Sequence, residues 1–159
     1  MKFQTYLAGA FCRYKNHGKR FDDWRDFVTE KVNNKKIRFY DPRANSRQIC
    51  PAVFTIDDAK GVLNSDILLH YRTPGFEDEG ASWEQGIAFA CNLLKGKHKK
   101  KLIIYADETK VPFPLHFASA NVNFSSLETA VEFLNCINSV EKKDFMKIWM
   151  RLLDKERIL

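Results

Sequence analysis

No apolar run in this chain approaches the length needed to span a bilayer, although hydrophobic residues make up 45% of it. The expected class is therefore soluble and globular. Cysteine is sparse: Cys12, Cys50, Cys91 and Cys136 lie far apart and form no Cys-x-x-Cys pair. That spacing argues against a zinc centre or a disulfide framework and for reduced thiols in a cytoplasmic protein. There is no internal repeat and no low-complexity linker, so 159 residues read most simply as one domain with a real core. The opening segment, Met1-Lys2-Phe3-Gln4-Thr5-Tyr6-Leu7, lacks a long apolar stretch and a cleavage site. It reads as a first strand, not as a signal peptide.

What charge there is lies unevenly. The net charge is +6, and Lys95-Gly96-Lys97-His98-Lys99-Lys100-Lys101 carries much of it. This run reads as a solvated turn. No aromatic-basic alternation accompanies it, so no nucleic-acid partner is expected. A second basic stretch, Arg13 through Lys15, His17, Lys19 and Arg20, follows the first strand, where ligand loops of α/β proteins sit.

Periodicity gives alternating strands and helices. Strands are expected at Phe3 to Leu7, Ile37 to Tyr40, Ile67 to His70, Leu102 to Tyr105 and near Ala120 to Phe124. Helices are expected at Phe21 to Val32, at Thr55 to Leu63 with Thr55 as N-cap, through Glu84, and at Ser125 to Ile137. This order predicts a doubly wound, mostly parallel five-stranded sheet with helices on both faces. Ligands bind such sheets at the carboxyl ends of the strands. The loops at that edge, 8–20, 41–53, 71–80 and 106–114, hold a high share of the chain's Asp, Glu, Arg and Asn.

Within that edge Glu84 stands out. It follows the acidic run Glu77-Asp78-Glu79 and the small residues Gly80-Ala81-Ser82, and shares a helical row with Ile87, Ala88 and Cys91. A carboxylate on an apolar face is costly unless it is paired or used. A first-turn position would offset part of that cost through the helix dipole. Asp78 lies six residues earlier, and Asp58, with Asp57 beside it, precedes the third strand and Asp66. Two carboxylates held close across a glycosidic bond permit retaining chemistry, one as nucleophile and one as acid/base. Each alone also has a structural reading, as a helix-start or strand-end residue.

Taken in order, the motifs resemble the nucleoside 2-deoxyribosyltransferase family over roughly residues 3 to 135. They are Tyr6-Leu7-Ala8-Gly9, Asp23-Trp24-Arg25, Asp41-Pro42, the segment from Asp58 to Asp66, and Gly80-x-x-x-Glu84-x-Gly86-x-Ala88. The resemblance implies Glu84 as the nucleophile that attacks the sugar C1′, Asp58 as the acid/base, and Tyr6 as the residue orienting the nucleophile. It implies Asp78 on the sugar hydroxyls, and Gly9, Gly80 and the loop with Asp41, Arg43 and Asn45 at the substrate. Nucleosides and free nucleobases would be the partners, in a homo-oligomer with shared sites. No metal or organic cofactor is expected, since leaving-group protonation and a carboxylate nucleophile suffice. One departure is visible: Pro114 and His116 stand where the family often has Asn and Met, and His116 reads as a packed surface residue.

Two other functions fit the same fold. A deoxynucleoside 5′-monophosphate N-glycosidase would use a similar Glu, and the basic stretch Arg13 to Arg20 would suit its phosphate. Against it, Asp78 near the 5′ end would repel a phosphate by about 4 kcal/mol per unit-charge pair at about 4 Å. A non-catalytic nucleotide-binding module is the reading from another class. Beyond the resemblance, Phe145, Ile148, Trp149, Leu152 and Leu153 form an amphipathic stripe, read as a helical extension over 140–159 that packs on the domain or at a subunit contact.

Overall fold

The computed structural model describes residues 2–33, 35–76, 78–94, 100–145 and 147. Five parallel strands form one sheet in the order β4-β1-β5-β6-β7: β1 (Phe3–Ala8), β4 (Ile37–Tyr40), β5 (Ile67–Arg72), β6 (Leu102–Asp107) and β7 (Val122–Phe124). The three central strands, FQTYLA, ILLHYR and LIIYAD, are buried almost throughout, as parallel strands covered on both faces must be. Their side chains alternate between two cores. Phe3, Leu7, Ile67, Leu69, Leu102 and Ile104 meet α1 (Trp24–Lys31) and α6 (Leu127–Ser139). Tyr6, Ala8, Leu68 and Ile103 face α3 (Pro51–Asn64) and α4 (Glu79–Leu93). The doubly wound sheet expected from the sequence is present, with α2 (Pro42–Asn45) and α5 (Pro114–Ser119) added at its carboxyl edge.

Local chemistry moves several boundaries. The first helix starts at Trp24, not Phe21, because Asp23 and Asp26 form a capping box with each other's backbone. Phe21 belongs instead to a hairpin, β2 (Tyr14–Asn16) with β3 (Lys19–Phe21), so the basic stretch Arg13 to Arg20 is ordered structure and not a loose loop. Its turn is His17-Gly18, with φ of 44° and 85°, the positive pair that a two-residue hairpin turn requires. The third helix begins at Pro51, with Cys50 at the cap, and Thr55 lies inside it; proline at the first helical position needs no side-chain cap. Asp57 and Asp58 therefore fall in its second turn. Likewise α4 opens on Asp78 as N-cap, which places Glu84 in the second turn and not the first. The macrodipole falls off within the first turn, so less of its stabilisation reaches Glu84 than the sequence suggests.

At the opposite edge of the sheet, the buried Lys101 ammonium is held by the carbonyls of Leu63 (2.6 Å) and Ser65 (2.5 Å). Asp66 accepts from the Gln4 amide at 2.9 Å and pairs with Lys142, while Phe145 meets Phe3 edge-on at 5.4 Å. Lys142 and Phe145 thus lie against the amino edge of the sheet. Ile148, Trp149, Leu152 and Leu153 lie outside the described residues, as do Glu77 and Lys95 to Lys99.

One glycine controls how closely α3 approaches the sheet. A Cβ at Gly61 would stand 2.7 Å from Tyr40 Cε1 and 2.8 Å from Tyr6 Cε2. Gly61→Ala is expected to force these rings apart and lower stability by about 1–3 kcal/mol, read as a lower urea midpoint with unchanged slope.

Candidate active site

The site assembles where β1, α3 and α4 meet. Tyr6 points from β1 into the α3/α4 face, and its hydroxyl donates to Glu84 Oε1 at 2.6 Å. Tyr6 is fully buried, and its ring stacks on Tyr40 with centroids 5.1 Å apart and planes 17° apart. Glu84 is 7% exposed. Burial pushes its carboxyl up to about 8, the negative charges of Asp58 and Asp78 push the same way, and the Tyr6 hydrogen bond and Arg25 oppose them. The Tyr6 hydroxyl is raised far above its ordinary value by burial and by Glu84, so it stays a donor.

The two adjacent aspartates of α3 separate by partner. Asp57 is bound by Arg47, with Nε to Oδ2 at 2.8 Å, and that guanidinium holds its carboxyl below the usual range. Asp58, half-buried, accepts the Ser46 hydroxyl on Oδ1, and its charge acts on both Tyr6 and Glu84. Asp58, Tyr6 and Glu84 are thus brought together.

Asp78 sits at the edge of this group. Its Oδ1 accepts the Gly80 amide at 2.9 Å, which is how both Gly80 and Asp78 contribute to the start of α4. Asp78 also lines a cavity of about 190 Å³ with His70, Arg72, Phe76, Ser82, Phe113 and His116. His116 is buried, not at the surface as its sequence position suggested. Its Nε2 meets Ser82 Oγ at 2.8 Å, and its ring lies against His70 and Phe113. Gln85 donates to the His116 carbonyl and to Ser119 Oγ, which leaves its Oε1 to accept from His70 Nδ1 at 2.6 Å. Burial pushes His70 down to about 3, so it is neutral.

The remaining predicted residues serve the walls. Gly9 has φ 147°, and a Cβ there would stand 2.5 Å from the Tyr71 carbonyl oxygen. Its own carbonyl accepts from Arg25, whose buried guanidinium also reaches the carbonyls of Leu7 and Ala10 and pairs with Asp23 at 3.0 Å. Arg43 is shared among Asp41 (2.6 Å), Asp26 (2.7 Å) and Asp23 (3.7 Å), so its charge is already balanced. Asn45 accepts the Asp41 amide and lines a separate groove of about 490 Å³ behind Tyr40 with Arg47 and Asp57. Ser46, Tyr40 and Arg25 were not picked out from sequence. A strand-end tyrosine and a loop serine carry no spacing signal, and Arg25 showed only as part of Asp23-Trp24-Arg25. Among the described residues no group of three or more His, Cys, Asp or Glu is arranged to hold a metal ion, and no helix is long and apolar enough to cross a membrane.

Chemically, the site offers a buried carboxylate aimed by a phenol, a second carboxyl beside it and a third on an adjoining cavity, at the carboxyl edge of a doubly wound sheet. No protein-family model and no curated protein sequence matches the chain. Solved structures do. The chain is similar to a 2-deoxyribosyltransferase from Bacillus psychrosaccharolyticus, with TM-score 0.57 and 14% identity over 89% of this chain and 94% of that one. It is similar to the 2-desoxiribosyltransferase of Leishmania mexicana, with TM-score 0.58 and 15% identity over 84% and 97%. It is also similar to the CMP N-glycosidase of Clostridium botulinum, with TM-score 0.50 and 13% identity over 83% and 98%. The chain therefore has the fold these deoxyribosyltransferases and this N-glycosidase share.

The raised Glu84 carboxyl has a signature in stability. A buried acid whose folded value lies above its unfolded 4.5 favours folding at low pH, and that contribution is lost as pH climbs through about 8. Glu84→Gln, which mimics the neutral form, should match wild type near pH 5 and exceed it at pH 9. The expected gain is up to roughly 5 kcal/mol, read as melting temperature against pH. A difference that stays flat with pH would show that Glu84 does not titrate as its burial requires.

Proposed function

We propose that this protein is a nucleoside 2-deoxyribosyltransferase working by double displacement. The observation that carries the reading is the Tyr6–Glu84 hydrogen bond in a buried site that also feels Asp58. Ionised Glu84 attacks C1′ of the deoxynucleoside as the C1′–N bond breaks. Asp58 gives its proton to the departing base, and the sugar is left as an ester on Glu84. A second base then attacks C1′, Asp58 takes its proton, and Glu84 leaves as the free carboxylate. Tyr6 holds Glu84 Oε1 and so keeps its other oxygen for the sugar. The carboxylate of Asp78, on the adjoining cavity, takes the sugar hydroxyls. The three similar folds support N-glycosyl chemistry on nucleosides or nucleotides, since their names describe deoxyribosyl transfer and CMP N-glycoside cleavage.

A second reading, hydrolysis of a deoxynucleoside 5′-monophosphate, draws on the β2–β3 hairpin, where Arg13, Lys15 and Arg20 line a groove of about 400 Å³. Asp78 on the cavity beside the site opposes it, because its charge would repel the phosphate. The chain is further expected to self-associate. Phe89, Phe113, Leu115 and Phe117 are exposed around α4 and α5, and the first three border a groove of about 350 Å³.

Chromatography of wild type and Glu84→Ala with a deoxynucleoside, with and without a second base, tests the main reading. A new deoxynucleoside is expected only from wild type with acceptor. Free base released from the 5′-monophosphate without exchange would favour the hydrolase, and ligand binding kept by both proteins without turnover would favour a binding module. Because the reactive form keeps one proton on the Glu84–Asp58 pair, with Glu84 ionised and Asp58 carrying it, kcat/KM is expected to fall as pH rises above about 8, where that proton is lost. For self-association, Leu115→Asp with Phe117→Asp should reduce the mass measured by light scattering to that of one chain.

A further inference from the structure

Ser46 occupies a position that neither motif nor charge marks. It caps the C-terminus of the short helix α2, is buried, and its hydroxyl lies between two groups. On one side is Asp58 Oδ1, and on the other is Tyr40 Oη at 3.2 Å. An ionised carboxylate only accepts, so the Ser46 hydrogen goes to Asp58, and the one hydrogen of Tyr40 is shared between the Ser46 oxygen and the Asp57 carbonyl. Tyr40 also lies 3.2 Å from the Asp57 carbonyl, and its ring is stacked on Tyr6, which in turn donates to Glu84. Asp57, one residue away on the same helix, takes its partner from Arg47 instead. Ser46 is thus the hydroxyl that ties the second carboxylate to the tyrosine pair behind the first.

We propose that Ser46 is the positioning residue of the acid/base, fixing Asp58 through Oδ1 so that Oδ2 is the oxygen that exchanges a proton with the nucleobase. The inference rests on the reading of Asp58 given above. The bond survives both halves of the reaction. With the proton on Oδ2, Oδ1 is a carbonyl oxygen that accepts from Ser46; with the proton delivered, Oδ1 is a carboxylate oxygen that accepts from Ser46. Nothing need reorganise as the C1′–N electron pair passes to the base nitrogen and the nitrogen takes the Oδ2 proton. Holding an acid within reach of the atom it protonates is worth orders of magnitude in rate, and loosening it forfeits part of that.

The demand for acid depends on the leaving base, and that separates positioning from folding. Wild type, Ser46→Ala and Ser46→Thr would be assayed for kcat on deoxynucleosides ordered by leaving-base acidity. For pyrimidines the series runs from 5-fluorouracil to thymine, and for purines from cationic 7-methylguanine to adenine. Ser46→Ala is expected to lose about tenfold on the poorest leaving group and less than twofold on the best. Ser46→Thr, which keeps the hydroxyl, should recover the wild-type dependence. An equal loss across the series, or no loss, would overturn the proposal while leaving the Glu84 mechanism standing. A wild-type protein that cleaves no member of the series would overturn the functional reading and this proposal with it.

Discussion

The 2.6 Å hydrogen bond from Tyr6 to Glu84 is the constraint on which the geometry of the site depends. It joins strand β1 to α4, the helix that crosses that face of the sheet, and both partners are buried. For the bond to exist, β1 must present Tyr6 and not its neighbours to the α3/α4 side, which the register with β4 and β5 enforces. A slip of one residue would turn Thr5 or Leu7 to Glu84 instead. The end of β1 is in turn pinned by the Arg25 guanidinium on the carbonyls of Leu7, Gly9 and Ala10. On the other side, α3 can lie against the stacked tyrosines only because residue 61 is glycine. Fold and site are here one arrangement seen from two distances.

That arrangement stores an electrostatic conflict. Glu84, Asp58 and Asp78 repel one another, and burial adds to the penalty on Glu84, leaving its carboxyl near 8. A carboxylate whose charged form is destabilised by burial and by like charges is one whose charge would find relief beside a cationic transition state. Glycosyl transfer passes through an oxocarbenium-like state at C1′, and three carboxylates around it would be matched to that charge rather than to the neutral substrate. The Tyr6 hydrogen bond and the Arg25 charge offset enough of the repulsion for the fold to tolerate it.

Much of this was legible beforehand. The three apolar strands, their parallel order and the convergence of loops at one edge follow from periodicity and from the rule that places ligands there. Glu84 was visible because small residues precede it and apolar residues share its row. What stayed hidden depended on choices made in three dimensions. Asp57 and Asp58 are equivalent in sequence, and only the turn of α3 and the reach of Arg47 assign one to an ion pair and the other to Ser46. Thr55 reads as the start of α3 because threonine is a good cap, yet Pro51 begins the helix without a side-chain cap. The basic residues of the β2–β3 hairpin read as a loop because their strands are only three residues each, too short for alternation to register.

His116 shows how α5 is tied to the helix that carries Glu84. Proline at 114 opens α5, where its missing N–H is no loss. That helix then carries His116 inward to Ser82, two residues before Glu84 on α4, and Gln85, the residue after Glu84, bonds back to the His116 carbonyl. The segment therefore reaches the helix that carries Glu84, through a histidine whose burial favours the neutral ring and a glutamine that makes three side-chain bonds. These contacts fix α5 against the turn of α4 that carries Glu84, so the wall of the adjoining cavity and the placement of Glu84 are set together. A substitution that frees α5 would consequently disturb the site without touching any carboxylate in it.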